Sequence, residues 1–260
     1  SIECSALVEL VEDVLNLDII ESIISAVAKN TITREDVKHV MTEIVKGKHW
    51  SDAIKIEKVN FYERGFENIG TTEIYTQDSR SQTTILDVYS KKEGSVTIFG
   101  INEPNFGRLY QGRNSESHRL YQDISVGFGG YKVLKKMGLS PSIHQLNEAP
   151  TVFGVLAFLD DLYGEVKRRI DEEEKILSED HSLSEEEKEV LAFGEALDTV
   201  RRRTLYTNHT LIQAVESDFE LSQFEHFVFP NIRSEKVKSF LREKIEKRGK
   251  LKLSLLALAL

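Results

Sequence analysis

The chain opens with apolar residues at helical spacing: Leu7, Leu10, Val11, Val14 and Leu15, then Ile19, Ile20, Ile23, Ile24 and Val27. This pattern predicts one or two helices over residues 2–29, broken near 16–18. A second run through Val37, Val40, Met41, Ile44 and Val45 follows Thr33, Glu35 and Asp36 and stops at Gly47. A hydroxyl followed by acids is a helix start, because the oxygen accepts an orphan backbone N–H and the acids meet the positive end of the dipole. Residues 1–50 are therefore expected to form a helical N-terminal unit, with the remaining body over 51–260. Beyond it, residues 53–62 alternate in part, and 83–89 and 95–101 are rich in β-branched and aromatic side chains, which predicts strands. Lys92, Glu93 and Gly94 stand where a hairpin loop belongs. Residues 63–82 are polar and aperiodic and are expected to be loop.

From residue 115 the period changes to helical, over 115–137, with Gly127, Gly129 and Gly130 inside and Gly138 as the stop. A short strand is predicted over 142–146, a helix over 151–177, a helix over 184–201 and a strand over 204–207. Ser184 with Glu187 is a capping box. Strands alternating with long helices signal βαβ units and a parallel sheet, so the fold class is α/β. The tail 249–260, GKLKLSLLALAL, is rich in Leu and Ala with no capping residue after it. It predicts a helix that runs to the last residue, and the expectation is that the chain belongs to a longer protein.

Composition narrows the function classes. Lys and Arg number 34 against 43 Asp and Glu, a net charge of −9, which disfavours phosphate backbones and hence nucleic acid. Gly (15) and Pro (4) are too few for a turn-dense β-sandwich. The single cysteine, Cys4, permits no disulfide within the chain and no thiolate zinc site, which fits a reducing compartment. The ten-residue apolar run 251–260 is half a membrane span, and no secretory signal is visible, so the expected location is cytoplasmic, away from membranes.

Two polar clusters stand at predicted strand ends, where ligand sites of parallel α/β sheets collect. Asn147 and Glu148 precede Ala149 and Pro150; they offer directional groups for sugar hydroxyls, or they cap the following helix. Asn208, His209 and Thr210 follow Tyr206 and Thr207; they form either a binding cluster or a capping loop. The glycines at 127–130 are not a phosphate loop, since they follow no strand, and are read as close-packing positions. His39, His49, His118, His144, His181 and His226 show no metal-ligand spacing. Asp160, Asp161 and the run 185–187 are expected on solvated faces, and Arg201, Arg202 and Arg203 as helix-end cations. No nucleophile elbow, Walker loop or cysteine-centred motif is present.

Several strings occur in a telling order: Arg108-Leu109-Tyr110-Gln111-Gly112, His118-Arg119-Leu120-Tyr121-Gln122-Asp123, Gly127-Phe128-Gly129-Gly130, Leu146-Asn147-Glu148 and Thr207-Asn208-His209-Thr210. Together, over about residues 100–232, they resemble α-glucan (glycogen, starch, maltodextrin) phosphorylases, and most closely the shorter bacterial and archaeal branch. The resemblance implies one half of a two-Rossmann-domain glycosyltransferase with its active site in the cleft between domains. The implied reaction is reversible phosphorolysis of α-1,4-glucan to glucose 1-phosphate, assisted by the phosphate of pyridoxal phosphate. By position, His209 is the implied catalytic contact to the sugar. Asn147, Glu148, Asn208 and Thr210 line the substrate, and Arg108 and Arg119 border the phosphate or gate region. The implied partners are α-glucan and phosphate, with a second domain beyond Leu260 carrying the cofactor lysine, or a homo-oligomer. Two departures stand out: Pro150 replaces the histidine of the family's strand-end motif, and the N-terminal glycine-rich loop is not recognisable. The rival expectations are a non-catalytic glucan-binding or regulatory protein, and an assembly subunit that uses the tail 251–260 and the helix over 2–29.

Overall fold

The computed structural model describes residues 60–78, 81–104, 116–175, 183–208 and 218–260. The expected helical unit over 1–50 lies outside them. Three strands, β1 (Glu67–Asp78), β2 (Ser81–Glu93) and β3 (Val96–Asn102), form an antiparallel sheet in that order. β2 and β3 turn at Gly94 and Ser95, since Glu93 pairs with Val96. Gly94 has φ +61, the left-handed conformation that a two-residue hairpin loop demands and glycine supplies without a Cβ clash. The loop expected over 63–82 is instead largely the strand β1. Its polar residues are the solvent side of a half-buried strand, and Ile74 is the fully buried inward one.

β1 is an outer strand, and four backbone groups on its edge are answered by side chains. The Lys132 and Lys136 amino groups donate to the carbonyls of Glu73 and Thr71, each at 2.8 Å. Asn231 behaves like a neighbouring strand: its Oδ1 accepts from the Tyr75 N–H at 2.9 Å and its Nδ2 donates to the Tyr75 carbonyl at 2.8 Å. Blocking an edge in this way removes a template for aggregation.

Helix α1 (Glu116–Ile124) continues through a π-helical turn, Ser125–Gly129, into α2 (Gly130–Lys136). Strand β4 (His144–Asn147) leads through a 3-10 turn, Ala149–Thr151, into the long helix α3 (Val152–Glu174). Helix α4 (Glu185–Arg203) returns to strand β5 (Thr204–Thr207), which pairs parallel with β4. The Ser184–Glu187 capping box is formed: the Glu187 N–H donates to Ser184 Oγ at 3.3 Å, and the Ser184 N–H to Glu187 Oε2 at 2.8 Å. The end of α3 is tied to the start of α4 by Lys188, which reaches Glu174 and, at 2.9 Å, Glu185. Hydrogen bonds donated to these carboxylates hold the Lys188 amine above the usual lysine range.

The last part of the chain forms β6 (Asp218–Glu220), a succession of helical turns over 221–231, α5 (Glu235–Glu246), β7 (Lys250–Lys252) and α6 (Leu253–Ala259). β6 and β7 pair antiparallel. The tail therefore begins as a strand and ends as a docked helix: Leu251, Leu253, Leu256 and Leu260 are buried, and α6 packs on α3. Of the tail's leucines, Leu255 and Leu258 stay exposed and the others are spent within the fold; the helix over 2–29, the other half of the assembly expectation, lies outside the described residues. The architecture of the described residues is mixed α/β with one parallel strand pair.

The centre of the core is the first half of α3. Val152, Phe153, Leu156 and Leu159 are fully buried, each burial stabilising by about 1.5–3 kcal/mol. Asp160, expected in solvent, is buried too. Its carboxylate accepts from the Ser234 N–H at 2.8 Å and the Arg233 N–H at 3.1 Å, fixing the start of α5 against α3. A buried charge is tolerated there because backbone donors and the Arg233 guanidinium, 3.3 Å away, replace water.

Gly127 lets the π-turn touch α3. A Cβ at that position would stand 2.5 Å from Phe153 Cβ and 2.8 Å from the Gly154 nitrogen, both immovable, whereas a Cβ on Gly130 meets nothing within 4 Å. Gly127→Ala is expected to destabilise the chain by about 1–3 kcal/mol or more through overpacking. Gly130→Ala is expected to be neutral or to stabilise by up to about 1 kcal/mol through helix propensity. Urea unfolding of both variants checks the contrast.

Candidate functional site

The parallel pair brings the two predicted clusters together. Asn147 is in register with Thr207, and the Glu148 N–H donates to the Thr207 carbonyl at 2.9 Å, so pairing extends one residue past β4. Gln145 Nε2 stands 3.5 Å from Thr207 Oγ1 on the same pair. Asn147 and Asn208 are exposed and Glu148 is half-buried, all at the carboxyl ends of the strands. His209, Thr210 and Arg108 lie outside the described residues.

Glu148 carries a feature that spacing did not reveal. Its φ of 69° and ψ of 161° place it in a backbone region that only glycine enters freely. It is the only non-glycine residue with positive φ among the described residues. The strain costs on the order of 1–3 kcal/mol. The reading of Glu148 as a helix cap is not what forms, because its side chain makes no capping hydrogen bond to the following turn. Instead its carbonyl accepts from Thr151 Oγ1 at 2.8 Å. Backbone strain of this kind, held by the surrounding packing, clusters at active sites, ligand clamps and switch regions.

The floor under this turn is α1, which packs against the 3-10 turn Ala149–Thr151. Arg119 is turned to internal use: its Nε lies 3.2 Å from Asp123 Oδ1, one helical turn on. Asp123 is buried, and desolvation raises its carboxyl to about pKa 7 despite the opposing pull of Arg119. Nearby, the Tyr121 hydroxyl donates to Glu103 Oε2 at 2.6 Å and ties the end of β3 to α1. The i, i+4 spacing of Arg119 and Asp123 was the sequence signal for their pairing. Nothing in the sequence marked Asp123 as buried.

In chemical terms, the strand ends present carboxamide, carboxylate and hydroxyl groups, a set suited to a polyhydroxylated neutral ligand. They contain no lysine. No group of three or more His, Cys, Asp or Glu that could hold a metal occurs among the described residues, and none of their helices is long and apolar enough to cross a membrane.

The fold and site thus define a mixed α/β protein with a polar cluster at the carboxyl ends of a parallel strand pair. No protein family model matches the chain. Over 191 residues it is 27% identical to the maltodextrin phosphorylase of Thermococcus litoralis. The match covers 73% of this chain and 18% of that enzyme, so the chain spans less than a fifth of its relative. This supports a distant phosphorylase-like relationship.

The raised Asp123 carboxyl gives a pH signature. The folded state holds this proton up to about pH 7, while the unfolded chain releases it near pH 4. Between those values the folded state binds more protons, so stability falls as pH rises through the window. The Asp123 contribution is fully present below about pH 4 and lost above about pH 7. Asp123→Asn is expected to flatten this part of the stability–pH curve and to make the chain relatively more stable at pH 8, as read by urea midpoints from pH 4 to 8.

Proposed function

We propose that this chain supplies the glucosyl-binding part of an α-glucan phosphorylase-like glycosyltransferase, with the carboxyl ends of β4 and β5 facing the sugar. The observation that carries the reading is Glu148, strained and hydrogen-bonded to the opposite strand end beside Asn147 and Thr207. The partial match to a maltodextrin phosphorylase gives the ligand class. We read the β4–α3–α4–β5 segment as one crossover of a Rossmann-like sheet.

In the proposed reaction an oxygen of inorganic phosphate attacks C1 of the terminal glucosyl unit. The C1–O bond to the next sugar breaks, the shortened glucan keeps that oxygen and takes up a proton, and glucose 1-phosphate leaves. Asn147, Glu148, Asn208 and Thr210 orient hydroxyls, and His209 positions the transferred glucosyl unit. Arg108 borders the phosphate or gate region, as does Arg119 through the segment it anchors. Pyridoxal phosphate does not fit the described strand ends, which offer neither an amino group for its aldehyde nor a cation for its phosphate. Its contacts are assigned to a second domain. The non-catalytic glucan-binding reading rests on Pro150, which places a ring without donor or acceptor where an imidazole would serve.

Two variants, made in the chain together with the further domains that the proposed enzyme requires, test the proposal. His209→Ala is expected to abolish formation of glucose 1-phosphate from maltoheptaose and phosphate; normal turnover would sink the assignment. Glu148→Gly is expected to stabilise the fold by about 1 kcal/mol by relieving the backbone while weakening maltoheptaose binding at least tenfold in calorimetry. Stabilisation with unchanged binding would remove Glu148 from the site, and saturable maltoheptaose binding without turnover by the parent protein would favour the non-catalytic reading.

A further inference from the structure

Helices α3 and α4 pack side by side, and an open groove of about 570 Å³ lies where α3 ends and α4 begins. Ile170 of α3 lines it together with Leu183, Val190, Leu191 and Gly194. The larger side chains on the α4 side stay in solvent: Leu183 is 37% exposed, Leu191 52% and Val190 56%. One exposed leucine is ordinary on a protein surface. Three large apolar side chains around one recess form a patch, and such patches mark places where a partner sits. Gly194 keeps the recess open. It stands inside α4, where glycine is a poorer helix former than any residue but proline. No packing demands it, since a Cβ there would meet nothing within 4 Å.

The rim of the groove is strongly acidic. The two stretches that line it, 169–175 and 183–195, hold nine Asp and Glu against three Lys and Arg, which is most of the chain's net charge of −9. Two of the three cations are shared among several acids. Arg169 stands 2.5 Å from Glu195 and 3.8 Å from Glu173. Lys188 meets Glu174, Glu185 at 2.9 Å and Asp171 at 3.9 Å, and Lys167 also reaches Glu185, at 3.1 Å. Internal pairing therefore holds these side chains in place but leaves the rim negative. An apolar floor inside a negative rim repels anionic surfaces and attracts cationic ones.

From this geometry we propose that the groove between α3 and α4 is the docking site for a basic amphipathic helix of a partner protein. Its apolar stripe lies on Ile170, Leu183, Val190 and Leu191, and its Lys and Arg residues meet the acids of the rim. Two packed helices offer a groove into which the side-chain ridge of a third can settle, and apolar anchors one helical turn apart fill such a groove. The charge decides the occupant. A second copy of this chain would bring the same excess of acids to the same place, and an anionic lipid surface would be repelled in the same way. The groove lies a helix length, roughly 25–30 Å, from the turn at Glu148, so it does not rest on the glucan reading.

The test uses the full chain and, as probe, a synthetic amphipathic peptide of about 14 residues with Leu at i, i+3, i+4 and i+7 and Lys elsewhere. One control peptide keeps the Leu positions and carries Glu in place of Lys; the other keeps Lys and carries Ser in place of Leu. Binding is followed by calorimetry and by NMR of the Val190 and Leu191 methyl groups. The Leu–Lys peptide is expected to bind saturably and to shift these methyl signals, with each control at least tenfold weaker. Leu191→Ser is expected to weaken the Leu–Lys peptide about tenfold, and Glu173→Gln combined with Glu186→Gln, both at exposed positions, about fivefold. Gly194→Gln fills the recess with a neutral side chain and favours the helix. It is expected to weaken the peptide about tenfold and carries the test if Leu191→Ser does not fold. Absence of saturable binding, affinity for either control equal to that for the Leu–Lys peptide, or affinity unchanged in the folded variants would each overturn the proposal. Self-association of the chain that Leu191→Ser abolishes would also overturn it, by placing a second copy in the groove.

Discussion

The described fold depends on how closely the π-turn Ser125–Gly129 approaches α3. Gly127 and Gly154 meet with almost no side chain between them: a Cβ on Gly154 would lie 3.2 Å from the Gly127 carbonyl oxygen. That proximity places Phe128 beside Phe153, ring centroids 5.6 Å apart, in the centre of the core. It also brings α1 up to the 3-10 turn at the start of α3, the turn that fixes the end of β4. Widening the contact by one methyl group would disturb the core and the candidate site together, because close-packed interiors transmit such a change.

The strain at Glu148 is supported by this arrangement. A Glu would leave its φ of 69° if the chain were free. The Thr207 carbonyl holds its N–H, Thr151 holds its carbonyl, and α1, the π-turn and α6 pack against the turn that follows. The strain is local and the restraints are spread over several elements, so the conformation persists. The same strands have two chemically different ends: carboxamide, carboxylate and hydroxyl groups at the carboxyl end, and at the amino end the Arg203 guanidinium bound to the backbone carbonyls of Pro141 and Ser142.

Much of the order of elements was legible. The helices α3 and α4, the capping box at Ser184, the strands at 144–147 and 204–207 and the packing role of Gly127 all follow from periodicity and local chemistry. β1 was missed because polar residues dominate it and its stabilisation comes from pairing with β2. α5 had a readable signal, Ser234 as cap with Val237, Leu241 and Ile245 four residues apart, but only packing shows that this face is buried. Asp160 and Asp161 look like surface acids in one dimension, and become a buried anchor and a charge hub only when Arg233 arrives from seventy residues away.

The sequence by itself determined what is local: which stretches prefer helix or strand, where helices are capped, and which polar groups stand at strand ends. Those outcomes depend on neighbours within a few residues, and their energies are set by the backbone. Only the tertiary structure decided the parallel register of Asn147 with Thr207, the strained backbone of Glu148, the desolvation of Asp123 and the stacking of His144 and Arg203 on Phe158. Each is a sum over groups distant in the chain, and burial, pairing and charge balance exist only once those groups are brought together.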